Sequence, residues 1–199
     1  MVRILELEEY AKENNIPIMM KDGIEFLLKY IKDNNIKNIL EIGTAIGYSA
    51  IRMSLVNENI NVTTIERDNT RYMEAKKNIN DFELNNRIKV INDDAFNVEL
   101  KEQYDLIFID AAKSQYIKFF EKFKLNLSEN GVIISDNLKF HGLVQKNINE
   151  IESRTVRGLV RKLNSYIDFL KNNKEFVTTF YEIGDGISIS KKITKKIVK

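Results

Sequence analysis

The chain has 199 residues, of which 43% are apolar and 30% charged, and this balance excludes wholesale disorder, collagen and coiled-coil fibre. It contains no cysteine and a single histidine, His141, which excludes disulfides, thiolate zinc sites, iron–sulfur clusters and cysteine nucleophiles. Any metal must therefore be bound by oxygen ligands. The net charge of +2 is too balanced to indicate nucleic-acid binding by itself.

The sequence indicates one domain over 1–199, because no repeat, low-complexity linker or break in composition divides it. Acidic residues interrupt the apolar ones in the first fifteen positions, which argues against a signal peptide. No apolar run reaches the roughly 18 residues that a membrane span needs. We therefore expect a cytoplasmic protein that does not insert into membranes.

Two helices are predicted first, over 1–15 and 23–34, with Pro17 ending the first of them. Short apolar, β-rich runs then alternate with helical stretches. The predicted strands are 38–43, 61–66, 87–93, 104–110 and 131–137, and the intervening helices include 48–56, 69–84 and 116–127. This alternation is typical of βαβ units that build a mostly parallel sheet covered on both faces.

The end of the chain departs from this alternation. A long helix is predicted over 149–171, followed by strands over 176–183 and 187–190. Asp185-Gly186 between the two strands is a hairpin signal, so these strands should be antiparallel neighbours. The predicted architecture is a parallel α/β sheet with an antiparallel strand at its C-terminal end.

Polar side chains or glycines follow nearly every predicted strand, and ligands of parallel sheets bind beyond these carboxyl ends. Gly43 and Gly47 flank a tight turn after the first strand, although the segment lacks the middle glycine of a dinucleotide-binding loop. Glu66 ends the second strand, where a carboxylate can bind both ribose hydroxyls. Together they favour an adenosine-containing cofactor, S-adenosylmethionine (SAM), over a plain strand-to-helix turn with a solvated carboxylate.

A second constellation consists of Asp110, Asp136 and Asn137, at the ends of two strands. Two carboxylates and an amide oxygen form a hard-oxygen site suited to Mg²⁺. The alternative is that each residue merely caps the structure that follows it. Lys113 lies three residues after Asp110 and could serve as a general base, although a surface lysine is the alternative. We expect His141 to be a loop residue and Phe119, Phe120 and Phe123 to pack in the core.

The segments LEIGTAIGYSAI, TTIERD, INDDAF, LIFIDAAK, VIISDN and IGDGISIS resemble, in order and spacing, the metal-dependent O-methyltransferases of the catechol and caffeoyl-CoA type. The resemblance spans about residues 10–192. It implies a Rossmann-like class I methyltransferase fold, with a seven-stranded, mostly parallel sheet, an antiparallel C-terminal strand and helices on both faces. It also implies a catalytic Lys113 acting beside Asp110, and Mg²⁺ (or Mn²⁺) on Asp110, Asp136 and Asn137. The expected SAM contacts are Met19, Glu41, Gly43, Gly47, Ser49, Glu66, Asp94, Ala95 and Asp110.

A narrower resemblance is carried by YAKENNIPIM and RTVRGLVRKLNSYIDFL. These segments are similar to the bacterial branch that methylates 5-hydroxyuridine at the tRNA wobble position to 5-methoxyuridine. It implies that the N-terminal helices (1–36) cover the cofactor and substrate side, and that the protein forms a homodimer. Arg154, Arg157 and Arg161 share one helix face and could bind tRNA phosphates, with diffuse attraction from Lys139, Lys146 and the KKITKKIVK tail.

Two alternatives remain open. The acceptor could be a small catechol-like or hydroxylated aromatic molecule, or the chain could be a non-catalytic RNA-binding module. The basic helix face could also be merely solvated.

Overall fold

The computed structural model describes residues 2–145 and 147–193 and contains one mixed sheet. Its strands in chain order are β1 (Asn38–Ile42), β2 (Asn61–Glu66), β3 (Ile88–Asn92), β4 (Tyr104–Ile109), β5 (Leu127–Ser135), β6 (Phe176–Tyr181) and β7 (Ile187–Lys192). The spatial order is β3-β2-β1-β4-β5-β7-β6. Strand β7 is antiparallel to both β5 and β6, and the other neighbouring pairs are parallel. The predicted fold class is confirmed.

Six helices are described: α1 (Val2–Glu13), α2 (Lys21–Asp33), α3 (Tyr48–Ser54), α4 (Asn69–Asp81), α5 (Tyr116–Phe123) and α6 (Arg154–Lys171). Side chains cap two of them: the N–H of Arg71 donates to Asp68 before α4, and that of Val156 donates to Ser153 before α6. No helix among the described residues is long and apolar enough to cross a membrane.

Two apolar layers cover the two faces of the sheet, which explains why four successive residues of β4, 106–109, are apolar. Leu106 and Phe108 point into a core shared with α1, α2 and α3, whereas Ile107 and Ile109 point into a core shared with α5 and α6. All four side chains are fully buried. Since successive side chains of a strand alternate between faces, a strand segment that is covered on both faces is mostly apolar at successive positions, as residues 106–109 are.

Three predicted boundaries are corrected by the structure. The helix predicted over 116–127 ends at Phe123, and a 3₁₀ turn leads to β5, which begins at Leu127 because that residue pairs with Tyr104 of β4. The helix predicted from Asn149 begins only at Arg154, because Ser153 caps it and Ile148–Glu150 form a separate 3₁₀ turn.

The strand order reverses between β1 and β4, so a crevice opens at their carboxyl ends.

Candidate active site

A cavity of about 440 Å³ lies at the carboxyl ends of the parallel strands. It is walled by the loops after β1, β2, β3, β4 and β5 and by the segment between α1 and α2. The sequence-predicted residues that line it are Met19, Gly43, Ser49, Glu66, Asp94, Ala95, Asp110, Lys113 and Asn137. His141, expected to be only a loop residue, also reaches the cavity wall. The structure therefore brings most of both predicted constellations into one site.

The loop after β1 passes very close to the end of β4, and Gly43 permits this approach. Gly43 has φ +103°, and a Cβ built on it would lie 2.2 Å from the carbonyl oxygen of Asp110. Its N–H donates to the carbonyl of Ile65. Gly47 does not line the cavity; it precedes α3 as its N-terminal cap residue. Only the first of the two predicted glycines thus faces the cavity.

Glu41 is a predicted cofactor residue that the structure places behind the cavity wall. Its side chain is fully buried and accepts hydrogen bonds from the hydroxyls of Ser49 and Thr64. Burial raises the pKa of Glu41 to about 8, against the lowering effect of these two hydrogen bonds. The side chain therefore holds Ser49, which does face the cavity, and does not line the cavity itself.

Backbone N–H groups fix the carboxylates of Glu66, at the end of β2, and Asp94, after β3. Glu66 accepts from the N–H groups of Ala45 and Asp68, each at 2.9 Å, and Asp94 accepts from that of Phe96 at 2.9 Å. A carboxylate oxygen has a second lone pair available after one such bond. Glu66 is thus pre-oriented to accept hydrogen bonds from two hydroxyl groups of a ligand in the cavity.

Asp110, Asp136 and Asn137 meet at the adjacent ends of β4 and β5. The side-chain amide of Asn137 lies 2.7 Å from Asp110 Oδ1 and 3.3 Å from Asp136 Oδ2. Asp136 is 3% exposed, and its Oδ1 is buried without a hydrogen-bond partner in the described part of the chain. Burial and the nearby Asp110 carboxylate raise the pKa of Asp136 to about 7, and burial raises the pKa of Asp110.

This cluster fits a divalent cation. Two carboxylates so close together are unfavourable when both are charged, and an oxygen-preferring cation would neutralise them and satisfy the orphaned Asp136 oxygen. Asn137 would contribute its amide oxygen after the side chain turns its nitrogen away, and amide orientation is assigned from hydrogen bonding. No cluster of three His, Cys, Asp or Glu side chains suited to a metal occurs in residues 2–145 and 147–193, so the amide is needed to complete the set.

Lys113 begins a 3₁₀ turn, Lys113–Gln115, and not a regular helix. Its ammonium lies 5.6 Å from the centroid of the Phe140 ring, and its charge acts on the neighbouring Asp110 carboxyl by lowering the pKa of that group. The Lys113 side chain therefore stands beside the carboxylate cluster at the cavity wall.

Four further residues line the cavity although no sequence motif identified them as site residues: Tyr48, Arg67, Arg71 and Phe96. Phe96 stacks on Phe119 with ring centroids 4.8 Å apart. Phe119 is buried, as predicted, but also lines the cavity. Phe96 could have been identified as a site residue from its position, because it directly follows Asp94-Ala95 after a predicted strand.

The predicted substrate-binding arginines lie on α6, outside the cavity lining. Arg154 and Arg161 are exposed, whereas Arg157 is partly buried and donates to the carbonyl oxygens of Ile151 and Glu152. Lys139 forms an ion pair with Glu182. Lys146 and residues 194–199 of the basic tail lie outside the described residues.

A model of the O-methyltransferase family matches residues 2–193. The chain belongs to this family. The prediction of a SAM-dependent O-methyltransferase is confirmed. Among relatives, this O-methyltransferase is 24% identical over 194 residues to a caffeoyl-CoA O-methyltransferase from Populus kitakamiensis, covering 94% of this chain and 82% of the relative. It is 36% identical over 116 residues to a catechol O-methyltransferase from Niastella koreensis, covering 54% and 52%.

Solved structures share the fold closely. A candidate caffeoyl-CoA O-methyltransferase from Staphylococcus aureus is 40% identical, with a TM-score of 0.90 and coverage of 96% of this chain and 92% of that one. An O-methyltransferase from Bacillus cereus, solved in complex with SAH, is 24% identical with a TM-score of 0.82, covering 97% and 91%. The O-methyltransferase described here therefore has the fold of the caffeoyl-CoA and catechol type.

Proposed function

We propose that this O-methyltransferase uses SAM and a divalent cation, Mg²⁺ or Mn²⁺, to methylate the 5-hydroxyl of 5-hydroxyuridine at the tRNA wobble position. The observation that carries the proposal is that Asp110, Asn137 and Lys113 line one edge of a cavity whose other edge bears Glu66. Asp136 is buried directly behind that edge, against Asn137. A tRNA substrate implies a cytoplasmic enzyme. The expected homodimer stays a prediction.

The half of the cavity around the β1 loop is suited to SAM. Glu66 would accept hydrogen bonds from the two ribose hydroxyls, since each of its oxygens keeps a free lone pair. Ser49 and Gly43 would contact the amino-acid end, and Ala95 with Phe96 would enclose the adenine. The Bacillus cereus structure that shares this fold was solved in complex with SAH, which supports SAM as the cofactor.

The other half of the cavity holds the acceptor. Asp110, Asp136 and Asn137 would bind the cation, which when bound supplies Lewis-acid activation and orientation of a hydroxyl. Neutral Lys113 Nζ would accept the hydroxyl proton. The acceptor oxygen then forms a bond to the methyl carbon as the carbon–sulfur bond breaks, and SAH leaves as a neutral thioether. Holding the two reacting atoms in line could supply roughly 7–11 kcal/mol.

The tRNA acceptor is supported by charge on α6. Exposed Arg154 and Arg161 stand on α6, and this helix packs against the turn that carries Lys113. Guanidinium groups there could bind phosphates flanking the target nucleotide. Arg157 shapes this region because its Nη1 connects α6 to the carbonyl groups of the preceding loop.

A small catechol-like acceptor is the second candidate, favoured by the similarity to the Niastella koreensis catechol O-methyltransferase. The test uses SAM with a radiolabelled methyl group, offered with tRNA that contains 5-hydroxyuridine, with the same tRNA containing uridine, and with catechol. Label on the hydroxyuridine tRNA alone supports the proposal. Label on catechol alone supports the second candidate.

The same assay decides between an enzyme and a binding module. We expect Asp136→Ala to bind SAM within about twofold of wild type and to lose methyl transfer. If the wild-type protein binds tRNA but labels neither acceptor at any tested Mg²⁺ or Mn²⁺ concentration, the proposal is wrong and a non-catalytic module is favoured. Normal transfer by Asp136→Ala would contradict the assigned metal site.

A further inference from the structure

The turn between β6 and β7 connects two walls of the active-site cavity. On one side, the N–H of Gly184 donates to Asp22, which lies at the start of α2, two residues after the cavity-lining Met20. On the other side, Leu138 and Lys139 donate their N–H groups to the carbonyl oxygens of Gly186 and Asp185, at 3.0 and 2.7 Å. The turn therefore contacts both the cofactor wall and the loop that follows β5.

That loop has an unfavourable backbone conformation. Asn137, Phe140 and His141 have φ values of +64°, +48° and +54°, in the left-handed region that residues other than glycine seldom adopt. Each of the three contributes to the site: Asn137 belongs to the proposed metal set, Phe140 lies over the Lys113 ammonium, and His141 lines the cavity. A strained loop persists only where surrounding contacts hold it.

Asp185 supplies such a contact. Its side chain is 5% exposed, and its Oδ1 accepts a 2.6 Å hydrogen bond from the backbone N–H of His141. Its Oδ2 is buried without a hydrogen-bond partner among the described residues and lies 3.8 Å from Nδ1 of the His141 imidazole. A buried carboxylate oxygen without a hydrogen-bond partner costs free energy of folding, so its presence calls for a functional explanation. The proposed methyl transfer makes no other use of this group.

We propose that Asp185 is a positioning residue for methyl transfer: its carboxylate holds the loop after β5 in the strained conformation and directs the His141 imidazole to the acceptor side of the cavity. Oδ1 fixes the backbone of the loop by a hydrogen bond. Oδ2, at 3.8 Å from Nδ1 and so without a direct hydrogen bond to it, restricts the directions in which the largely exposed imidazole can turn, and the imidazole becomes a hydrogen-bonding group for the acceptor. The inference rests on the proposed function only in requiring that methyl transfer occur in this cavity.

His141 is the only histidine of the chain, so its ring gives one unambiguous NMR signal in protein labelled with ¹³C-histidine. Asp185→Ala removes both contacts, whereas Asp185→Asn keeps an oxygen for the His141 N–H and removes the charge. The matched control is Glu175→Gln, which changes an exposed carboxylate at the far end of the same hairpin. For each variant, the imidazole Cε1–Hε1 signal, the Kd for SAH and kcat for the acceptor that wild type labels are measured.

We expect Asp185→Ala to move the His141 signal toward that of free histidine, to leave the Kd for SAH within about twofold, and to lower kcat about 10- to 100-fold. Asp185→Asn should shift the signal less and restore kcat to within about fivefold of wild type. Glu175→Gln should change none of these quantities. Such a division between cofactor affinity and turnover is not expected of a residue that merely stabilises the fold.

An unchanged His141 signal in Asp185→Ala would overturn the proposal, and so would a loss of SAH affinity as large as the loss of kcat. If Asp185→Ala does not fold, Asp185→Asn decides: a shifted signal with retained SAH affinity supports the proposal, and an unshifted signal refutes it. If wild type labels neither acceptor, the proposed function fails, and the NMR and SAH measurements still decide whether Asp185 holds His141.

Discussion

Replacing Glu41 by glutamine tests the state of the buried acid behind the cofactor loop. Burial raises the pKa of Glu41 to about 8, so the carboxyl is mostly protonated at pH 7 when the protein is folded. Glutamine has nearly the same shape and cannot ionise. Its oxygen can accept from one of the two hydroxyls, Ser49 or Thr64, and its N–H₂ can donate to the other, as a protonated carboxyl would.

The sign of the pH dependence follows from linkage. The pKa of Glu41 is higher in the folded protein than the ordinary value of 4.5, so the folded state holds the proton more tightly. The associated stability is fully present below pH 4.5 and is lost as the pH rises to about 8. The slope is about 1.36 kcal/mol per pH unit, so wild type should lose roughly 2–3 kcal/mol between pH 6 and pH 8 from this group alone.

The measurement is the free energy of unfolding by urea at pH 6, 7 and 8, for wild type, Glu41→Gln and the control Glu129→Gln, an exposed carboxylate at the start of β5. We expect Glu41→Gln to gain roughly 2–3 kcal/mol relative to wild type between pH 6 and pH 8, and the control to show no such trend. A constant difference between Glu41→Gln and wild type across this range would refute the reasoning, because Glu41 would then ionise below pH 6.

Three further predictions follow from the site. Gly43→Ala should abolish measurable SAM binding by calorimetry, because the added Cβ would lie 2.2 Å from the Asp110 carbonyl oxygen at a positive φ; binding within threefold of wild type would contradict this. Phe120→Ala should lower the unfolding free energy by about 3–5 kcal/mol in urea titrations, since the ring is fully buried among aromatic neighbours, and a loss below about 1 kcal/mol would contradict the assigned packing. Arg154→Ala with Arg161→Ala should weaken tRNA binding and reduce its salt dependence by about one to two units of log–log slope, and an unchanged slope in filter-binding assays would exclude both from phosphate contact.

Periodicity made the sheet predictable because the parallel strands are covered on both faces. The covered part of β4, residues 106–109, is then apolar at each position and can be recognised directly in the sequence. Where an element is not covered by apolar layers, its observed boundary differs from the predicted one. Residues 127–130 contain two exposed positions and belong to β5 only through pairing with β4, and the start of α6 is set by the Ser153 cap.

The candidate site could be predicted only as far as strand ends mark it. Asp110 and Asp136 directly follow strands that are neighbours in the sheet, so their proximity follows from topology. Glu41 lies inside a strand and faces the protein interior, so a sequence motif alone could not separate a contact to ligand from support of Ser49. Asp185 is distant in sequence from His141, and their contact arises from the long-range pairing of β5 with β7.

In the proposed metal cluster, the carboxylates that would bind the cation destabilise the protein when no cation is bound. The substitution Asp136→Asn separates these two effects. Asp136 is buried beside Asp110, and two neighbouring buried carboxylates lower the free energy of unfolding unless a cation lies between them. Asp136→Asn removes one charge at constant volume. In the presence of a chelator we expect the variant to melt at a higher temperature than wild type. With Mg²⁺ in excess the wild type should gain stability through binding, whereas the variant should gain little.

Wild type and Asp136→Asn are therefore compared by thermal melting in EDTA and in Mg²⁺, with Asp105→Asn as a control at the opposite end of β4, away from the cavity. Equal gains from Mg²⁺ in wild type and Asp136→Asn would show that the cation does not bind at this cluster. A lower melting temperature of Asp136→Asn in EDTA would show that the carboxylate stabilises the ligand-free fold, and that the strand ends are not selected for ligand binding at a cost in stability.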